Sequence, residues 1–242
     1  MLACRCRTIQ SKRGKKVKDV SKQQKIRMAA DMLMVILLPL LMAYSLIGES
    51  LHEWFGIVMF AVFFFHHFLN WRWYKNLTKG SYTIRRIVLT ITNGLLLMLM
   101  IALPVSGMFM AKHTLRFLNG IVPAELLRTV HLLASHWGFI LMSLHLGLHW
   151  GSILSMMKKM FHIQSPSSRR TWILRAIAIV LCCYGIYSFV ALQYGQYLFL
   201  RSVFVFLDFS KPLVFSLAER IGVMALFVGI AYYADKIMLR KK

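Results

Sequence analysis

Long runs of apolar residues alternate with short polar stretches along this chain, and several runs reach eighteen residues or more. A helix of roughly 20 apolar residues crosses the roughly 30 Å hydrocarbon core of a bilayer. The pattern predicts six such helices, at residues 28–48, 51–73, 84–110, 126–157, 172–194 and 219–236. We therefore expect an all-α fold, a polytopic membrane helical bundle.

Composition and charge support this prediction. Of the 242 residues 58% are hydrophobic and 16% are charged, which is typical of a membrane protein. The net charge of +22 could suggest nucleic acid, but 24 of the 30 Lys and Arg residues fall on alternate connections between the predicted helices. The positive-inside rule then predicts cytoplasmic N- and C-termini. We expect a multi-pass protein in the lipid bilayer of the bacterial cytoplasmic (inner) membrane, with no nucleic-acid partner.

Two predicted helices carry the same polar pattern, offset by 79 residues. The pattern comprises His52, Gly56, His66, Asn70 and Trp71 in the second helix, and His131, Ser135, His145, His149 and Trp150 in the fourth. A histidine inside hydrocarbon is costly and usually functional. Neutral imidazole suits iron, and two imidazoles fill both axial positions of a haem. Two equally spaced histidine pairs on two helices therefore predict two bis-histidine haems.

Helical geometry assigns the pairs. Fourteen residues along a helix return to within about 40° of the starting direction after roughly 21 Å. His52 and His66 thus share one face of the second helix, and His131 and His145 share one face of the fourth. Because both helices run from outside to inside, we expect His52 opposite His131 and His66 opposite His145 as axial ligands of the haem iron.

Other residues of the two helices have secondary roles in this prediction. Gly56 and Gly138 provide room for haem packing. His67, His136 and His149 are second-choice ligands, since His67 is turned about 100° from His66 and His149 lies roughly 27 Å from His131 along the helix.

Cationic side chains near the membrane surface could bind the anionic haem propionates. Arg128, close to His131, is the candidate for the outer haem, and Arg72 is the candidate for the inner haem. Snorkelling to the membrane surface explains the same residues equally well. His149 and the equivalent Asn70 could also line a quinone pocket, so quinone is a further candidate cofactor beside haem b.

The predicted organisation has three parts. Residues 1–27 form a basic cytoplasmic N-terminal arm, residues 28–160 a four-helix dihaem core, and residues 161–242 two additional transmembrane helices with an interfacial outer segment. The chain contains no GxGxxG motif and no P-loop. Binding of a nicotinamide or flavin cofactor in the usual way is therefore not expected.

The motifs HEWFG at 52–56, NW at 70–71 and HLGLHW at 145–150 resemble those of a family of small bacterial cytochrome b-like membrane proteins. More distantly, the chain is similar to the transmembrane cores of ferric reductases and NADPH oxidases. The resemblance covers mainly the first four predicted helices. It implies two haems held by His52, His66, His131 and His145, and transfer of electrons across the membrane.

Three functions follow from these patterns. The first is an electron-transfer subunit of an oxidoreductase, ferric reductase-like or quinol-linked, without its own flavin or NAD(P)H domain. Its partners would be a separate donor, either a flavoprotein or quinol, and an acceptor at the outer face. The second is a transporter or a proton- or metal-ion-conducting protein that uses the intramembrane histidines. The third is a structural subunit of a membrane redox complex, and assembly as a homo- or hetero-oligomer is compatible with each function.

Overall fold

The computed structural model describes residues 21–163, 165, 167–202 and 211–240. In these ranges the chain forms α-helices and one short 3-10 turn at Arg116–Leu118, and no β-strand. The α-helices are α1 Lys22–Met42, α2 Tyr44–Ile47, α3 Glu49–Leu69, α4 Arg72–Lys75, α5 Ile84–Met110, α6 Ala124–Met160, α7 Ser168–Ala191, α8 Tyr194–Leu198 and α9 Leu213–Arg240. The predicted all-α class is confirmed. The basic arm lies outside the described residues up to residue 20, and its last residues form the first turns of α1.

Five of the described helices are long and apolar enough to cross a membrane: α3, α5, α6, α7 and α9. They correspond to the second to sixth predicted spans. The first predicted span falls on α1, which is 21 residues long but begins with basic residues and contains Pro39. The membrane bundle is thus supported, whereas the count of six remains a prediction that depends on α1.

Capping residues explain where the helices begin and end. Thr83 accepts a hydrogen bond from the Arg86 backbone N–H at 3.4 Å, and α5 begins at the next residue, as predicted. The predicted first span, 28–48, extends too far, because α1 ends at Met42 and Ala43 interrupts the helix before the short α2. Gly48, with φ +81°, then separates α2 from α3. The predicted second span also extends too far: α3 ends at Leu69, and Asn70 turns the chain into α4.

The helices pack as neighbouring hairpins. The closest packing joins α5 to α6, α6 to α9 and α7 to α9, while α1 packs on α3. Glycines allow two of these close approaches. A Cβ on Gly147 of α6 would collide with the Val228 carbonyl of α9 and come within 2.6 Å of the Ala231 Cβ. A Cβ on Gly185 of α7 would likewise collide with the Gly222 carbonyl of α9.

The two histidine-bearing helices, α3 and α6, are not packed closely against each other in the described structure. Instead α3 is held by α1, and α6 is held by α5 and α9. We call the end of the bundle where α1 begins and α3 ends the basic end, and the opposite end the far end. In the interfacial outer segment, α8 packs into the bundle through buried Tyr194, Tyr197 and Leu198, while residues 203–210 lie outside the described ranges.

Candidate functional site

The far end of the bundle brings the first predicted histidine pair together. The ring centroids of His52 on α3 and His131 on α6 lie 6.1 Å apart, with the ring planes inclined at 64°. An imidazole nitrogen binds a metal at about 2 Å, so two imidazoles on one metal have centroids about 6 Å apart. The observed separation therefore fits one metal between the two rings.

Helix α5 fixes the orientation of His131. The His131 Nδ1 lies 3.2 Å from the Leu103 carbonyl oxygen and 3.1 Å from Ser106 Oγ. A carbonyl only accepts, so Nδ1 carries the proton and donates, which leaves the Nε2 lone pair free to bind a metal. Gly107 lets the ring lie this close to α5, because a Cβ there would be 3.3 Å from His131 Cε1.

His52 is held less firmly. Its Nδ1 is buried without a hydrogen-bond partner among the described residues. The ring packs edge-on against Tyr44, with centroids 5.1 Å apart. A buried polar atom without a partner is uncommon, and here it belongs to a predicted ligand.

At the basic end the structure assembles a cluster of four histidines, which we call the basic-end cluster: His66, His67, His145 and His149. The rings of His66 and His67 are 5.5 Å apart, and those of His145 and His149 are 4.7 Å apart. His66 and His67 both act electrostatically on His145, although no ring contact joins His66 to His145 in the described structure. Both second-choice ligands, His67 and His149, lie beside the first choices, and the pairing of His66 with His145 stays a prediction.

Three rings of the basic-end cluster are anchored through Nδ1. His66 Nδ1 lies 2.7 Å from Asp31 Oδ1 on α1, and His145 Nδ1 lies 2.9 Å from Asn93 Oδ1 on α5. Both partner oxygens accept, so the Nε2 atoms of His66 and His145 are left free for a metal. His67 Nδ1 lies 2.6 Å from the Tyr74 hydroxyl.

Neighbouring helices thus hold the groups that orient the predicted ligands. Asn93 and Gly107 are fourteen residues apart on α5, which is the same spacing as His145 and His131 on the antiparallel α6. On the other hairpin, α1 places Asp31 beside His66. Orienting groups of this kind are typical of metal-binding histidines.

The space between the two levels suits a bulky planar group. Gly138 lies midway between His131 and His145, on the same helix face. It is buried, yet a Cβ added there would have no other atom within 4 Å. A Cβ on Gly56 would also be in open space. The donor atoms and the room between the helices therefore fit haem, for which the protein must supply two axial ligands.

A metal ion without a haem needs more side-chain ligands from the protein. Structural sites for such ions use three or four side-chain ligands. Within the part of the chain that the structure describes, no three His, Cys, Asp or Glu side chains are grouped so that they could hold one ion.

The candidate propionate ligands lie on the surface. Arg128 near the far end and Arg72 near the basic end are both exposed. Two other arginines at the basic end are engaged within the protein. Arg27 donates to the Leu69 carbonyl at 2.6 Å, and Arg85 is paired with Asp235 on α9 at 2.5 Å.

His136 lies apart from the site. Its ring packs against Tyr194 and Tyr197 of α8, with centroids 5.4 and 4.7 Å away, and its Nδ1 donates to the Leu132 carbonyl at 2.9 Å. Burial raises the pKa of the Tyr194 hydroxyl, which stays neutral in this contact. The structure therefore brings His136 to α8 and not to the gap between α3 and α6.

At the far end, Glu53 binds the loop after α5. Its carboxylate accepts from the backbone N–H groups of Lys112 and Thr114 at 2.8 Å each, from that of His113, and from the Thr114 hydroxyl at 2.9 Å. Beside it, the hydrogen bond and charge of Glu49 raise the pKa of Lys112, whose ammonium lies 2.8 Å from Glu49 Oε1. This acidic pair joins the start of α3 to the end of α5.

Comparison with known proteins identifies no relative: no family model, no curated protein and no solved structure matches the chain. The geometry of the site is therefore the basis for any conclusion about its function.

Sequence reasoning missed Asp31, Asn93, Tyr74 and Ser106, which contact the histidines. A signal was present for two of them, because Asp31 and Asn93 are isolated polar residues within apolar runs, where polar groups are costly.

Proposed function

We propose that this chain is a cytochrome b-type membrane protein that carries electrons across the bilayer through two bis-histidine haems. The observation that carries the proposal is the facing pair His52 and His131, with centroids 6.1 Å apart. His131 presents a free Nε2 because α5 holds its Nδ1. His66 and His145, anchored by Asp31 and Asn93, are the proposed ligands of the second haem.

Haem bound by two imidazoles at each level would supply one-electron transfer. The residues of this chain would bind and orient the group. The two levels lie at opposite ends of the span, so transfer between them would move charge across the hydrocarbon. Six spans, with α1 as the first, and cytoplasmic termini at the basic end are part of the proposal. The electron donor would be a separate flavoprotein or quinol, and the acceptor would lie at the far end.

Haem content of the purified protein tests the proposal. We expect a low-spin spectrum in the reduced-minus-oxidised difference and two haems per chain by pyridine haemochrome. His131→Leu and His145→Leu should each remove one haem. His136→Leu, which changes a histidine packed against α8, should retain both. Colourless protein from haem-replete cells would refute the proposal, and one haem in the unmodified protein would show that one pairing level is wrong.

The basic-end cluster favours a second candidate function, a proton path. The His149 ring contacts that of His145, Asp31 is hydrogen-bonded to His66, and Arg85 is paired with Asp235. Linked ionisable groups at membrane depth are typical of proton relays. In haem-free proteoliposomes, a proton path would acidify the vesicle lumen after a pH jump, and His149→Leu would abolish this acidification. Electron transfer alone predicts no such flux.

A further inference from the structure

The four proposed haem ligands differ in the charge of the groups that hold them. At the far end, His131 donates to a neutral carbonyl and His52 has no hydrogen-bond partner among the described residues. At the basic end, His145 is held by the neutral amide of Asn93, but His66 is held by the carboxylate of Asp31 at 2.7 Å. Asp31 is thus the one anionic group that contacts a proposed ligand in the described structure.

A carboxylate that accepts from a ligand imidazole makes that ligand more basic. It also places a negative charge one imidazole away from the iron. Both effects favour the ferric over the ferrous state, because the ferric centre carries one more positive charge. The reduction potential of the haem on that ligand therefore falls.

Most other charges near the two levels are engaged by partners, although Arg27 keeps its positive charge because its partner is a neutral carbonyl. At the basic end, Arg85 is paired with Asp235, and Arg27, one turn before Asp31, donates to the Leu69 carbonyl. At the far end, Glu49 and Glu53 act on His52 only through space. Glu49 is paired with Lys112, and backbone N–H groups of the following loop surround Glu53. The direct bond from Asp31 remains the main difference between the two levels.

We infer that Asp31 is a positioning residue that sets the reduction potential of the basic-end haem below that of the far-end haem. Electrons then move downhill from the basic end to the far end. The inference rests on the proposed function and adds to it the order of the two reduction potentials and the residue that sets this order.

Spectroelectrochemical titration of the dihaem protein tests this inference. The unmodified protein should titrate in two one-electron waves, and His131→Leu, which lacks the far-end haem, should retain the lower wave. Asp31→Asn keeps an acceptor for His66 Nδ1 and removes only the charge. It should shift the reduction equilibrium of the basic-end haem about tenfold towards the ferrous state and so raise the potential of the lower wave. Tenfold is the smaller end of the effects seen when a partner of a metal-bound histidine is changed. This corresponds to about 59 mV for one electron.

Asn93→Asp provides the converse test and does not depend on folding of the Asp31 variant. Placing a carboxylate on His145 should shift the same wave downward. Glu125→Gln, a change in an exposed acid at the start of α6, should move neither wave. Retention of the upper wave in His131→Leu would overturn the inference, as would an unchanged lower wave in both Asp31→Asn and Asn93→Asp. Absence of two haems in the unmodified protein would instead refute the proposed function.

Discussion

Replacing Gly147 with alanine tests the packing that holds the ligand helix α6 in place. The added Cβ would collide with the Val228 carbonyl and approach the Ala231 Cβ to 2.6 Å, so backbone and not a flexible side chain must yield. Overpacking of this kind costs about 1–3 kcal/mol. The better helix propensity of alanine returns at most about 1 kcal/mol. Because the clash is with backbone, the upper end of the cost applies, and we expect a net loss of about 2 kcal/mol.

Gly151→Ala is the matched control. It lies one turn further along the same helix, is exposed, and its added Cβ would meet no atom within 4 Å. Thermal unfolding in detergent, followed by circular dichroism, should show a midpoint about 4–8 °C lower for Gly147→Ala, at roughly 2–4 °C per kcal/mol for a chain of this size. The midpoint of Gly151→Ala should be unchanged or higher. Equal midpoints for the two variants would refute the close contact between α6 and α9.

Two further predictions concern the gap and the far-end loop. Gly138→Phe should fold, since space surrounds the position, but it should lower the haem content below two per chain. Gly151→Phe should leave the haem content unchanged. Full haem content in Gly138→Phe would contradict the assigned gap. Glu53→Gln should speed trypsin cleavage in the loop 111–123 several-fold by weakening the charge-assisted bonds to its N–H groups. Glu49→Gln, which removes a surface ion pair, should have little effect, and equal rates in the two variants would contradict the role of Glu53.

Most of the fold could be predicted from the sequence, because hydrophobic length is a property of a single segment. Helix α5 begins and ends where the apolar run and the Thr83 cap place it. The ends of α1 and α3 were less predictable, because Ala43 and Asn70 end these helices through local backbone conformation and not through a change in hydrophobicity.

The candidate site was predictable only in part. Helical periodicity places two histidines on one face of each helix, and this requires no knowledge of neighbouring helices. The partners Asp31 and Asn93 lie 35 and 52 residues from the histidines they hold, so only tertiary packing brings them together. The choice between His66 and His67 depends on the rotation of α3 about its axis, which the sequence pattern does not specify.

The way the ligands are held also bears on how the protein is made. Three proposed ligands, His66, His131 and His145, each take an orienting partner from the adjacent helix of the same hairpin, α1 with α3 or α5 with α6. Each hairpin can therefore set its imidazoles as it inserts, before it meets the other. We expect haem to join two prepared halves late in biogenesis, so that haem-starved cells accumulate inserted, colourless protein that is competent to take up the cofactor.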